Sequence, residues 1–269
     1  MSKAKKAKMT TETSSFRRTA KHYGWLRDIP DHRDHTFDPA PKVLKKLPPR
    51  VDLRPKCPPV YRQGRLQSCT ANAIAAALEY QQMRQHQRAF RPSRLFIYYN
   101  ERAIERTVKH DVGAMLRNGI KGVSRWGAPP EYPHWPYLHY QFPKKPSRKV
   151  YHEASKHQAV VYQRLKQDLG HLKACLAQGS PFVVGLAVFE SFEGDAVEKT
   201  GRLSLPKRHE RDRGGHAVMA VGYDDRQKRF ILRNSWGPRW GMEGHFTVPY
   251  AYLLDQNLAA DFWTIGLVE

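Results

Sequence analysis

Between Ser68 and about Gln87 the apolar residues recur at helical spacing. Ala71, Ile74, Ala75, Leu78 and Met83 share one face, and Ser68 stands where a cap is wanted. No other stretch of the chain specifies a single element so firmly, and its first turn carries Cys69. Cysteine attacks only as thiolate. A helix N-terminus, with unpaired N–H groups and the positive end of the helix dipole, is expected to lower a thiol pKa. Gln63 lies a short distance upstream and supplies a side-chain amide that can donate to an oxyanion.

With 269 residues, six Trp, 13 Tyr and 11 Phe, the chain can bury a core large enough for two lobes around a cleft. Three cysteines, Cys57, Cys69 and Cys175, form neither a disulfide framework nor a paired zinc motif. This spacing predicts a reducing compartment and a cytoplasmic protein. Cys57 and Cys175 read as structural. Residues 1–22 carry seven Lys or Arg without an apolar run behind them. They read as a disordered basic tail rather than a secretory signal, with a transit peptide as the alternative. No segment reaches transmembrane length, so no membrane partner is expected. The net charge of +21 predicts attraction to anions, but the basic residues are spread without a nucleic-acid motif. That leaves open only a weak nucleic-acid or nucleotide contact through the basic surface.

Residues 23–50 read as an extended arm and a proline-marked linker, since Gly24 to Phe37 mixes aromatic and charged residues with neither helical nor strand period. Helices are expected at Ser93–Ile104, Gly113–Gly122 and around Leu165–Gln178. Prolines from Pro129 to Pro146 fit a crossing between lobes. Short apolar runs at 181–188, 217–223, 229–233 and 245–248 predict strands, with Asp224–Lys228 as a hairpin loop. The expected architecture is α+β, a helical lobe over 51–140 and a β-rich lobe over 141–269, with the site between them.

Two further segments, Gly214-Gly215-His216-Ala217-Val218 and Arg233-Asn234-Ser235-Trp236-Gly237, each set a polar residue beside a strand. With Gln63 and Ser68-Cys69 they follow one another in the order found in the papain-like cysteine peptidases, which the chain resembles from Val51 to its end. It is most similar to the bacterial, disulfide-poor, xylellain-like branch. In that branch an arm of the pattern Gly-Trp-x-x-Asp-x-Pro-Asp-x-Arg-Asp, here Gly24 to Asp34, precedes the enzyme. Weaker likenesses are the Leu95–Asn100 helix and Trp135-Pro136-Tyr137. The resemblance implies a two-lobe fold with a β-barrel-like right lobe and a zymogen whose arm covers the cleft. It assigns Cys69 as nucleophile, His216 as its base, Asn234 as the residue orienting the imidazole, and Gln63 with the Cys69 N–H as oxyanion donors. Gln67, Ser68, Gly215 and Trp236 are the expected substrate-lining residues, Trp236 also shielding the His216–Asn234 bond. No cofactor and no metal are implied; His32 and His35 read as a solvated polar run.

The chain departs from the family pattern in places. Leu66 stands where secreted relatives carry a disulfide cysteine, Gln67 replaces a glycine that lets substrate pass close to backbone, and Thr70 replaces a Trp. The glycine pair that shapes the substrate wall is not recognisable near Gly119 to Gly127. The leading reading is a monomeric cysteine endopeptidase acting on polypeptides, with its own arm as intramolecular inhibitor. The alternatives are a thiol amidase or transpeptidase, and a non-catalytic peptide- or anion-binding protein on the same fold.

Overall fold

Helix α2 (Cys69–Arg84) is buried on nearly every side rather than along one stripe: 13 of its 16 residues are inaccessible. Alanine side chains explain this, because they let neighbouring backbones approach from several directions without leaving voids. Met83, expected on the buried face, instead lies 40% exposed near the helix end. Ser68 occupies the N-cap position, but its hydroxyl makes no capping bond. The hydroxyl donates instead to Tyr137 Oη at 2.5 Å and accepts from Asn72 Nδ2 at 3.2 Å.

The computed structural model describes residues 23–268, so the basic tail expected over 1–22 lies outside the described residues. Before α2 come β1 (Trp25–Leu26), α1 (Pro41–Leu44) and β2 (Arg50–Asp52). After it come α3 (Arg94–Glu105), β3 (Ala114–Met115), α4 (Leu116–Trp126), α5 (Glu131–His134) and α6 (Arg148–Ala154). The second half contains β4 (Ala159–Arg164), α7 (Leu169–Ala177), β5 (Phe182–Phe189), α8 (Asp195–Thr200) and β6 (Asp212–Asp224). It ends with β7 (Arg229–Arg233), β8 (His245–Pro249), α9 (Tyr250–Leu254) and β9 (Ala259–Val268). The α3 cap is regular, Ser93 Oγ accepting from the Phe96 N–H at 3.2 Å.

One seven-stranded antiparallel sheet runs β4-β9-β5-β6-β7-β8, with β2 paired to β6. One face carries Phe182, Phe230 and Phe246 and the other Val183 and Trp263, all buried, and α2 packs across β6 and β9. The helical elements α2, α3 and α4 pack together on the other side of α2, and the α+β two-lobe architecture follows. Residues 50–52 pair along Gly222–Asp224, so the start of the expected helical lobe is stitched into the sheet.

His216 sits inside β6 rather than at a strand start. Gly214 and Gly215, outside the strand expected over 217–223, continue the ladder opposite Val188 and Ala187. Strands β4 and β9 carry interrupted apolar patterns and become strands through pairing with each other. Among the described residues no helix is long and apolar enough to cross a membrane.

Candidate active site

Three chain segments converge at the mouth of α2. Cys69 opens the helix, His216 stands in the middle of β6, and Asn234 follows β7 at once. His216 Nε2 lies 2.9 Å from Asn234 Oδ1, both side chains being buried. The amide oxygen accepts, so the imidazole presents N–H at Nε2 and Nδ1 is the nitrogen available for proton exchange. Asn234 Oδ1 also accepts from the Ser235 N–H at 2.8 Å, which fixes its amide orientation. The indole of Trp236 lies against the imidazole at 5.1 Å with a 36° interplanar angle. Trp240 and Phe192 pack behind it, each 5.1 Å from Trp236. This aromatic wall keeps water from the His216–Asn234 bond.

Gln63 is tied to the same motif. Its N–H donates to Ser235 O at 2.9 Å, and Ser235 Oγ donates to Gln63 Oε1 at 2.6 Å. With its oxygen held, the amide nitrogen is oriented unambiguously, and it donates to Leu66 O at 3.0 Å. Tyr137 Oη donates to Gln63 O at 2.8 Å, and the Arg94 guanidinium lies 4.0 Å over the Tyr137 ring. Arg94 in turn forms a buried two-bond pair with Glu131 at 2.7 and 2.8 Å.

The family model described as papain family cysteine protease matches residues 47–253. The chain belongs to the papain family. It is 41% identical to the peptidase C1-like protein of Acanthamoeba polyphaga mimivirus, over 91% of this chain and 87% of that one. Xylellain, a cysteine protease from Xylella fastidiosa, superimposes with a TM-score of 0.89 at 45% identity, covering 94% of this chain and 98% of its own. Procathepsin B from Trypanosoma congolense shares the fold at a TM-score of 0.73 and 17% identity, over 93% and 87% of the two chains. The chain is therefore a cysteine-type peptidase of the xylellain type.

The helix N-terminus was expected to lower the thiol pKa, and the structure gives the opposite direction. Burial pushes Cys69 up to about 11, and the N–H groups of Ala217, Gly24 and Thr70 that point at the sulfur offset this only in part. The desolvation cost of a fully enclosed thiolate exceeds what the helix terminus returns. Two of those three donors are not from α2. Ala217 belongs to β6 beside His216, and Gly24 belongs to the arm.

The arm occupies the cleft. Gly24 O accepts from the Ala114 N–H at 2.8 Å, and β1 pairs in parallel with β3. Tyr23 stands edge-on to His216 at 5.8 Å and donates from its hydroxyl to Glu193 Oε1 at 3.0 Å. A Cβ built on Gly24 would fall 1.8 Å from Gln67 O, so the close backbone approach usually allowed by a glycine at position 67 is here allowed by a glycine on the arm. Gln67 itself is fastened to Asp111, its N–H at 2.9 Å from Oδ1 and its Nε2 at 2.7 Å from the carbonyl. Gly215 faces the arm too, a Cβ there falling 2.4 Å from Trp25 O. Ser68, expected to line substrate, turns its hydroxyl to Tyr137 and Asn72 instead.

The acids of the arm each find a partner. Asp28 accepts from the Arg117 N–H at 3.0 Å and from Trp263 Nε1 at 2.9 Å, and Asp34 pairs with Arg117 and, at 3.2 Å, with Arg164. Asp31 takes Arg33 at 2.8 Å and Lys121 at 3.4 Å. His35 packs edge-on against Tyr162 at 6.3 Å.

Cys57 donates to Leu53 O and Cys175 to Ser180 O, both as free thiols. Sequence reasoning passed over Gly113-Ala114, which forms the wall of the helical lobe, and Asp261, which faces the arm. It also passed over Glu101, whose buried carboxyl accepts from Thr70 Oγ1 at 2.8 Å beside the nucleophile. The Thr at position 70 was the available clue for Glu101, since a hydroxyl in a buried helix turn needs an acceptor.

Proposed function

We propose that this peptidase hydrolyses internal peptide bonds through Cys69, His216 and Asn234, and that residues 23–37 hold it inactive by lying in the cleft. The observation that carries the reading is a site both assembled and occupied: the His216–Asn234 bond is in place while Gly24 N–H points at the Cys69 sulfur.

With the arm displaced, water reaches the cleft, the desolvation that keeps the thiol neutral falls, and Cys69 can pass its proton to His216 Nδ1. The thiolate attacks the scissile carbonyl carbon, forming the S–C bond. Gln63 Nε2 and the Cys69 N–H receive the charge that develops on oxygen. As the C–N bond breaks, the imidazolium gives its proton to the leaving amine. Water then attacks the thioester, His216 takes its proton, and the C–S bond breaks to release the acid. Asn234 keeps the ring in line throughout. The three free thiols fit a cytoplasmic setting.

The test compares the full chain with Cys69→Ala and Gly24→Ala on a fluorogenic peptide mixture, alongside labelling by an epoxide that alkylates thiolates. Gly24→Ala drives a methyl into Gln67 O and should raise both labelling and hydrolysis, while Cys69→Ala abolishes both. Hydrolysis surviving in Cys69→Ala, or no hydrolysis and no labelling in any of the three, would overturn the reading.

A further inference from the structure

Trp25 does more than fill space in the cleft. Its indole is inserted where β5 and β6 carry Gly185 and Gly215, so that a Cβ added at Gly185 would fall 1.9 Å from Trp25 Cε2 and one at Gly215 2.6 Å from Cε3. Two glycines on adjacent strands thus open a slot with the thickness of a flat ring.

At the closed end of the slot, Trp25 Nε1 donates to Asp261 Oδ2 at 3.1 Å. Asp261 is 2% exposed, stands on β9 at a left-handed φ of 60°, and sits where the β5–β9 register slips by one residue. A bulge of this kind turns a side chain out of its regular alternation. Here it aims a carboxylate into the slot. The other oxygen, Oδ1, is held by Arg164 at 2.9 Å, which fixes the carboxylate and balances its charge. Oδ2 takes two donors, Trp25 Nε1 and the Asp28 N–H at 2.7 Å, and both belong to the arm. When the arm leaves, this oxygen faces the slot without either.

We infer that the slot between Gly185, Gly215 and Asp261 is the side-chain-selecting pocket of the peptidase, and that it prefers a tryptophan, a flat two-ring side chain with an N–H at its far end. The inference rests on the proposed hydrolysis in this cleft. Shape excludes β-branched residues, and the vacated carboxylate oxygen discriminates against rings that cannot donate. The charge of Asp261 is already paired by Arg164, so the pocket recognises a neutral donor rather than a cation.

The experiment uses the full chain carrying Trp25→Ala, in which the slot is vacated and the rest of the arm is retained. Peptides are varied one position at a time on the acyl side of the cleaved bond, with Trp, its benzothienyl isostere (sulfur for N–H), Phe and Val. At one position kcat/KM for Trp should exceed that for the isostere by about tenfold or more, the factor expected for a hydrogen bond to a charged acceptor. Val should be the poorest at the same position. Gly185→Ala in the same host should remove the Trp preference while Cys69 labelling persists. Equal cleavage of Trp and isostere peptides at every position, with other peptides still cleaved, would overturn the inference and leave hydrolysis standing. Absence of all cleavage and labelling would overturn both.

Discussion

Removing the Trp25 side chain from the intact protein tests the arm as a lock. The indole is 8% exposed, fills the slot beside Gly185, and bonds Asp261. Truncating a buried Trp to Ala costs about 3–5 kcal/mol in well-packed sites. Tyr23 on His216 and the Asp28 and Asp34 pairs stay in place, so the lower figure is the appropriate one. Nearly all of that loss falls on the arm-docked state, because once the arm leaves Trp25 is exposed to water in either variant. At about 1.4 kcal/mol per tenfold, the open population should rise by roughly 10²-fold. If labelling of Cys69 proceeds only from the open form, its second-order rate with a thiol-alkylating epoxide should rise by the same factor. The midpoint of global thermal unfolding should move little, since the sheet and α2 keep their contacts. A labelling rate within twofold of the unmodified chain would refute the reasoning, because the arm would then not limit access to the sulfur.

Acidity should tighten the arm, not loosen it. Asp28 is raised to about 6 by burial first and by the neighbouring Asp261 second, against Arg117 and Trp263, which favour its charge. Asp34 and Arg164 complete the charged surroundings. A carboxyl raised in the docked state stabilises docking fully below its ordinary pKa, and that contribution is lost as pH rises through about 6. Amide exchange of residues 24–28, corrected for intrinsic rates, should therefore slow as pH falls from about 7 to about 5; faster corrected exchange at the lower pH refutes this. Replacing Asn234 with Ala removes the 2.9 Å bond to His216 and should lower kcat by about 10²-fold, within the span that a positioned base contributes, with Cys69 still present by titration. Glu101 is held well above the carboxylate range by its complete burial, so stability should decline as pH rises above its ordinary pKa of 4.5. Glu101→Gln should flatten that decline in urea unfolding at about pH 5 and pH 8, and an unchanged slope would show that the acid is already ionised in the folded protein.

Much of the site was legible in one dimension because chemistry restricts residue type. A thiol at a helix mouth, a histidine with apolar neighbours and an Asn-Ser-Trp-Gly run each have few alternatives, and their order made the combination specific. The helices α2 and α3 were legible for a similar reason: their periodicity is local. Strands β4 and β9 were not, because their apolar pattern is broken and pairing alone makes them strands. His216 was set beside a strand over 217–223, yet pairing with β5 carries that strand back through His216, Gly215 and Gly214.

The sequence by itself determined the peptidase family, the candidate residues Cys69, His216 and Asn234 and a segment ahead of them, since these depend on which side chains exist and in what order. Only the tertiary structure decided where the arm lies and how deeply the thiol is buried. Gly24 fits beside Cys69 because it carries no Cβ to meet Gln67 O and because Gly113 carries none to meet Gly24 O. The same closure strips water from the sulfur, and that burial pushes its pKa up. Asp261 acquires its place by a one-residue slip between two strands, a displacement set by the pairing of segments as far apart in the chain as Val183 and Trp263.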